Sequence, residues 1–280
     1  LCATAIALLL PGIGGRAGAR GIGAAPASQT LYAQSAGRIL RERFSDPGIS
    51  YLVLDAQSGS VVASRWEEAE VPIPLGSLVK PFAALAYGQQ HEYRFPSYVC
   101  RGTATGCWLP HGHGSVALTQ AIAYSCNSYF RSLTEGMTSA DVVPTAVEYR
   151  LDLPAQEVSG VALAGLGNRW AVAPLHAARA YLELVRRREQ PGIREIVAGI
   201  RESARSGTGE EVSRSLLRTD ALVKTGTAAC THAQHGSGDG FVVALSPSDD
   251  PKILLMVRVH GVPGAEASKV AGRMLHSLEE

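Results

Sequence analysis

Gly76-Ser77-Leu78-Val79-Lys80-Pro81-Phe82 sets a serine and a lysine three residues apart, just ahead of the helix-forming run Phe82 to Tyr87. Proline is tolerated only in the first turn of a helix, so Pro81 fixes the helix start close to Ser77. One helical turn then separates Ser77 from Lys80, and both side chains can face the same cleft. A serine hydroxyl becomes a useful nucleophile only when a base takes its proton, and a lysine amine can do this only while neutral. Usage elsewhere in the chain sharpens the point. Of 26 basic residues, 22 are arginine and only Lys80, Lys224, Lys252 and Lys269 are lysine. Arginine stays charged in a protein, whereas a lysine amine gives up its proton when desolvated or crowded by another cation. Lys224 opens Lys224-Thr225-Gly226-Thr227 and is the natural second cation.

Working outward, the 280 residues are 46% hydrophobic and 18% charged, enough to bury a full core in one large domain or two interleaved lobes. The net charge of +1, with no basic block, gives no electrostatic case for nucleic acid or an anionic membrane surface. Arg186-Arg187-Arg188 reads as a solvated helix end.

Residues 1–27 differ from the remainder. Ala3 to Leu10 is apolar, Gly and Ala dominate up to Ala24, and Ala25-Pro26-Ala27 has the small residues of a cleavage site, so this stretch is expected to be an export signal or a disordered leader. Such a leader places the domain of residues 28–280 outside the cytoplasm, in the periplasm or cell envelope, either exported or membrane-anchored through that leader. In that setting Cys100 and Cys107 can pair as a disulfide across their short loop, if their geometry permits. Cys100, Cys107, His111 and His113 also make up a Cys2His2 set of the kind that holds a metal. The disulfide-pinned loop is preferred, so no metal and no cofactor are expected. Cys126, Cys230, Trp108 and Trp170 are read as packing residues, and His232 and His235 as rim or surface residues.

The order of elements points to an α+β fold. Residues 28–44 read as an amphipathic helix, and 49–54 and 61–64 as a hairpin around Asp55-Ala56-Gln57-Ser58-Gly59. A helical middle follows, with 96–115 as loop, 118–124 and 174–187 as helices, and Ser125-Cys126-Asn127 as an interruption between apolar segments. Residues 221–225, 240–245 and 253–259 read as strands, and 265–278 as a closing helix. An antiparallel sheet built from strands at both ends, flanked by helices and with a helical subdomain inserted between them, accommodates this order.

Ser-x-x-Lys, Ser-x-Asn and Lys-Thr-Gly are each weak signals alone, but here they occur in one order: helix start, interhelical turn, strand. With them stand Gly112-His113-Gly114, Ala121 to Phe130 around Ser125-Cys126-Asn127, Gly165-Leu166-Gly167 with Val172 to Leu175, and Gly240-Phe241 with Asp250-Pro251-Lys252. Taken together, residues 28–280 resemble the transpeptidase domain of penicillin-binding proteins. The family usually writes Gln and Thr where this chain has Leu166 and Ala173. The large N-terminal pedestal of its high-mass members has no counterpart here, and the stretch from Asn127 to Lys224 is short for them.

The resemblance implies a serine D,D-transpeptidase acting on D-Ala-D-Ala peptidoglycan stems, with β-lactams as covalent inhibitors and unidentified cell-envelope proteins as partners. It implies that Ser77 is acylated, Lys80 takes its proton, Ser125 relays a proton to the leaving D-alanine, and Asn127 orients Lys80 and the substrate amide. Lys224, Thr225, Gly226 and Thr227 would receive the substrate carboxylate, with the Thr227 N–H completing the oxyanion hole. Lys80 is expected to be neutral and Lys224 charged, so that arginine can partly replace Lys224 but not Lys80. A D,D-carboxypeptidase, a serine β-lactamase, or a non-enzymatic β-lactam sensor or scaffold are the alternatives. The chain offers no convincing Glu-x-x-x-Asn element for placing a deacylating water, and its Ser125-Cys126-Asn127 is unlike the pattern common in class D β-lactamases.

Overall fold

The computed structural model describes residues 27–154, 158, 160–229 and 238–279. Residues 1–26 of the stretch expected to be a leader, Cys2 among them, lie outside the described residues, as do Cys230, His232 and His235. Helix α1 (Ala27–Arg43) precedes the hairpin β1 (Ile49–Asp55) and β2 (Val61–Arg65). A two-residue strand, β3 (Ile73–Pro74), leads into a 3-10 turn at Gly76–Val79 and then α2 (Lys80–Gln90). The middle holds β4 (Tyr98–Cys100), β5 (Gly114–Val116), α3 (Leu118–Ala123), α4 (Asn127–Leu133), α5 (Ser139–Tyr149), β6 (Ala171–Val172), α6 (Pro174–Arg186), α7 (Ile193–Ser206) and α8 (Glu210–Ser215). Strands β7 (Leu222–Ala228), β8 (Asp239–Ser246) and β9 (Ile253–Val259) and helix α9 (Gly264–Glu279) close the chain.

The main sheet runs β2-β1-β9-β8-β7, every pair antiparallel. The two ends of the chain meet at its centre, where β1 pairs with β9 from Ile49 opposite Val259 to Asp55 opposite Ile253. Side chains alternate across a strand, and here both faces are covered. Tyr51, Val53, Val242, Ala244, Leu255 and Val257 pack with Leu40, Ala271, Met274 and Leu275 of α1 and α9. Leu52, Leu54, Phe241, Val243, Leu254 and Met256 belong to the larger core that holds Phe82, Phe130 and Tyr181 of the helical part. Burial on both faces explains why β8 is buried along its whole length and reads as a continuous apolar run.

The helical subdomain contains three helices that the strongest sequence signals leave out. Thr138 caps α5 reciprocally with Asp141, whose carboxylate accepts from the Thr138 N–H at 2.7 Å and from its hydroxyl at 2.9 Å. Helix α7 buries Ile193, Ile196, Val197, Ile200 and Ala204 on one face, and α8 buries Val212.

Three expectations are corrected. Cys100 and Cys107 are free thiols rather than a disulfide, because their loop turns both sulfurs toward His113. Arg186, Arg187 and Arg188 are not merely solvated. Arg186 donates to the carbonyls of Ala56 and Gln57, Arg187 pairs with Glu148 and Glu183, and Arg188 donates to the Asp249 carbonyl. The end of α6 is thereby tied to β1, α5 and the β8–β9 turn. Trp170 is buried as expected, with its Nε1 donating to the Asp152 carbonyl, but Trp108 is half exposed. Its Nε1 donates to the Tyr124 carbonyl at 3.2 Å, which holds the indole over the loop instead of in the core.

Candidate active site

The 3-10 turn at Gly76–Val79 presents Ser77 next to strand β7. Gly76 has φ +56, a conformation open chiefly to glycine, and a Cβ built on it would lie 2.0 Å from the Thr227 carbonyl oxygen. The nucleophile turn is therefore in direct backbone contact with the Lys224-Thr225-Gly226-Thr227 strand. Gly165 packs behind it just as closely, its built Cβ 2.2 Å from the Gly76 carbonyl oxygen. From α6, the Tyr181 hydroxyl donates to the Leu78 carbonyl at 2.7 Å and holds the turn from below.

Lys80 opens α2, and its backbone N–H donates to the Ser77 carbonyl. Its side chain is wholly buried. The amine donates to the Ser125 carbonyl at 2.9 Å and to Asn127 Oδ1 at 2.7 Å, and it lies 5.2 Å from the centre of the Phe130 ring. Burial pushes this amine down to about 7, with the nearby Cys126 and Cys107 sulfurs opposing the shift.

Ser125 sits in the interruption between α3 and α4 with φ +50, an uncommon conformation for a residue with a side chain. That conformation turns its carbonyl toward Lys80 while its hydroxyl accepts from Lys224 Nζ at 3.1 Å. Lys224 is also wholly buried and donates to the Thr225 carbonyl at 2.7 Å. Ser125 thus bridges the two lysines, one through its backbone and the other through its hydroxyl.

Lys224 shares the burial of Lys80. Burial, with Lys80 close by, holds the Lys224 amine well below the usual lysine range as well. Two buried ammonium groups flanking one serine, with no carboxylate among the partners named above, cannot both keep their charge cheaply.

Thr225 and Gly226 are buried and Thr227 is exposed. The Thr225 hydroxyl lies 2.6 Å from the Thr208 hydroxyl, in the link between α7 and α8, while Thr227 Oγ1 accepts from the Gly264 N–H at 2.9 Å. All eight residues singled out from the sequence therefore lie on three adjoining segments: the Gly76–Val79 turn with the start of α2, the α3–α4 turn with the start of α4, and the edge strand β7. Thr208, Tyr181 and Phe130 are additions. Thr208 carries no motif, Tyr181 reads only as a position on the apolar face of a helix, and Phe130 closes the stretch around Ser125-Cys126-Asn127 without a role of its own.

A serine one helical turn ahead of a buried lysine, beside a second buried lysine on an edge strand, is an arrangement that suits acyl transfer. The model of the penicillin binding protein transpeptidase domain matches residues 49–279, and the chain belongs to that family. Transpeptidase domains of this family bind penicillin and work on peptidoglycan outside the cytoplasm.

Among solved structures, the penicillin-binding protein PBP2 in a complex with MreC from Helicobacter pylori is similar, with a TM-score of 0.72 and 16% identity over 89% of this chain and 62% of that one. The transpeptidase domain of Burkholderia pseudomallei penicillin-binding protein 3 matches with a TM-score of 0.66 and 16% identity, over 91% of this chain and 93% of that domain. That of the FtsI4 D,D-transpeptidase from Legionella pneumophila matches with a TM-score of 0.63 and 16% identity, over 91% and 97%. The chain thus spans less than two thirds of the Helicobacter pylori protein but nearly all of the two isolated domains. No curated protein sequence matches it. Among the described residues no helix is long and apolar enough to cross a membrane.

Proposed function

We propose that the protein is a D,D-transpeptidase that forms an acyl-enzyme on Ser77 with the D-Ala-D-Ala end of a peptidoglycan stem peptide. The observation that carries this reading is Ser125 bridging two buried lysine amines beside the turn that presents Ser77. Lys80, as the neutral amine, takes the Ser77 proton as Oγ attacks the penultimate carbonyl. The negative charge that develops on that oxygen is met by the N–H groups of Ser77 and Thr227, whose backbones the Gly76 contact holds together. The proton passes through Ser125 to the departing D-alanine nitrogen as the C–N bond breaks, leaving the ester on Ser77. An amine acceptor then attacks the ester, and its proton returns to Ser77 Oγ by the same route.

Lys224 binds the terminal carboxylate of the substrate together with Thr225, Gly226 and Thr227. In the free protein its amine lacks a carboxylate partner among the hydrogen bonds described, and the substrate supplies that charge, which favours the protonated form of Lys224 in the complex. Asn127 holds Lys80 through its Oδ1 and orients the substrate amide. The reading includes an export leader at residues 1–27, a periplasmic or cell-envelope location, β-lactams as covalent inhibitors and cell-envelope proteins as partners. The Helicobacter pylori PBP2, which is in a complex with MreC, is a precedent for such a partner.

The reaction is tested by adding a fluorescent penicillin and following both labelling and release, alongside turnover of a D-Ala-D-Ala peptide with an amine acceptor. Persistent labelling with a cross-linked product is the expected result. Release within seconds would make the protein a β-lactamase, peptide hydrolysis without cross-linking a carboxypeptidase, and labelling with no peptide turnover a sensor.

The pH dependence follows from Lys80. Its protonated form cannot accept the serine proton, so the acylation rate should fall as pH drops through about 7 and level off above it. Stopped-flow labelling between pH 5 and 9, a range of roughly two units on either side of that value, reads the profile. A rate that rose toward low pH would contradict a lysine base.

A further inference from the structure

We propose that Cys100, Cys107, His113 and Cys126 bind one zinc ion, and that this ion fixes the turn carrying Ser125 and Asn127. Their ligand atoms all lie within 4.8 Å of one another. His113 Nδ1 is 3.5 Å from both the Cys100 and the Cys107 sulfur, and the Cys107 and Cys126 sulfurs are 3.9 Å apart. A tetrahedral zinc with Zn–S of about 2.3 Å and Zn–N of about 2.0 Å separates its ligands by roughly 3.8 Å (S to S) and 3.5 Å (S to N). Three of the six edges of such a tetrahedron thus already have these lengths, and none of the others exceeds 4.8 Å. A disulfide needs sulfurs about 2.0 Å apart, and all three thiols are free. The set differs from the one the sequence singles out: Cys126 takes the place of His111.

The chain is wound so that the four donors converge. Cys100 ends β4, Cys107 follows the left-handed Gly106, His113 lies between the left-handed Gly112 and Gly114, and Cys126 caps α4. A Cβ on Gly112 would lie 2.2 Å from the Cys100 carbonyl oxygen, and one on Gly102 1.9 Å from that of Pro110, so only glycine permits the two sides of the loop to close. The His113 ring stacks on Tyr124 with centroids 5.4 Å apart, and Trp108 meets its edge. Ser128 Oγ lies 3.5 Å from the Cys100 sulfur, placed to support a bound thiolate, and 2.8 Å from Thr105 Oγ1. Three thiolates and an imidazole form a closed, soft donor set, which selects zinc over magnesium or calcium. Each cysteine that binds releases its thiol proton to solvent.

Cys126 stands between Ser125 and Asn127, whose carbonyl and side-chain oxygens hold the Lys80 amine. A metal bond at Cys126 anchors the strained Ser125 backbone to β4 and β5, and the ligands act on the reaction as positioning residues.

Metal analysis of the purified wild-type protein should give one zinc per chain. Cobalt substitution should produce the visible bands and sulfur charge transfer of a tetrahedral thiolate site. Cys100→Ser and Cys107→Ser should lose the metal, while His111→Ala should keep it. Stripping the wild-type protein with a chelator should slow labelling by fluorescent penicillin by about tenfold or more, and added zinc should restore it. Wild-type protein that retains no zinc when purified in its presence, a cobalt spectrum without thiolate, or a disulfide between two of these cysteines would overturn the proposal. Metal content is read without any activity, so only the labelling arm rests on the acyl-transfer reading.

Discussion

Lys80→Arg should reduce acylation of Ser77 by about a thousandfold or more, because it keeps the positive charge and removes the titratable amine. The native amine is wholly buried between the Ser125 carbonyl and Asn127 Oδ1 and is pushed down to about 7, so a large fraction is neutral near pH 7. A guanidinium does not lose its proton under these conditions, and its planar head cannot occupy the same cradle without displacing Asn127. The control is Lys252→Arg, an exposed lysine paired with Asp250, which should label at the wild-type rate. Circular dichroism and the thermal midpoint separate a lost base from a lost fold. A folded Lys80→Arg protein that labels within a few-fold of wild type would show that Lys80 is not the base.

Gly76→Ala should be nearly as damaging, by a different route. A left-handed φ costs a residue with a Cβ about 1–2 kcal/mol, and at Gly76 that Cβ would also meet the Thr227 carbonyl oxygen at 2.0 Å. Neither backbone can yield freely: Gly165 backs one side, and a Cβ on Gly226 would lie 2.5 Å from the Leu75 carbonyl oxygen on the other. The variant should lose about 3 kcal/mol of stability, a drop of roughly 6–12 °C in thermal midpoint. The surviving folded fraction should acylate about a hundredfold more slowly, because the Ser77 and Thr227 N–H groups are forced apart. Gly136→Ala is the matched control. Gly136 is also left-handed, at φ +81, but its built Cβ meets nothing within 4 Å, so it should lose only the conformational part and label normally.

Much of this was legible in the sequence because the two kinds of signal are local. The central strands are short, mostly apolar runs bounded by turn residues, because both faces of the sheet are covered, and the order of elements brings the two ends of the chain into one sheet. Pro81 marked the start of α2 and the three short motifs were legible as sequence, although the left-handed backbone of Ser125 was not. What was not legible depends on partners distant in sequence. Thr208 matters because it meets Thr225 across the link between α7 and α8. Tyr181 matters because its hydroxyl reaches Leu78, 103 residues away. Helix α5 is obscured by Pro144 within it, although Thr138 and Asp141 give its start. The loop at 96–115 looked unstructured because its order comes from left-handed glycines and from Cys126, which lies outside it. The burial of Lys224 beside a second buried lysine was not legible for the same reason, because that neighbour comes from a different segment.

The most direct test of the central claim is where a β-lactam becomes attached. Wild-type protein incubated with benzylpenicillin, digested and mapped by mass spectrometry should carry one acyl adduct, on the peptide containing Ser77, and Ser77→Ala should carry none. An adduct on any other residue, or an unmodified Ser77 in folded protein under conditions where Lys80 is neutral, would contradict the account.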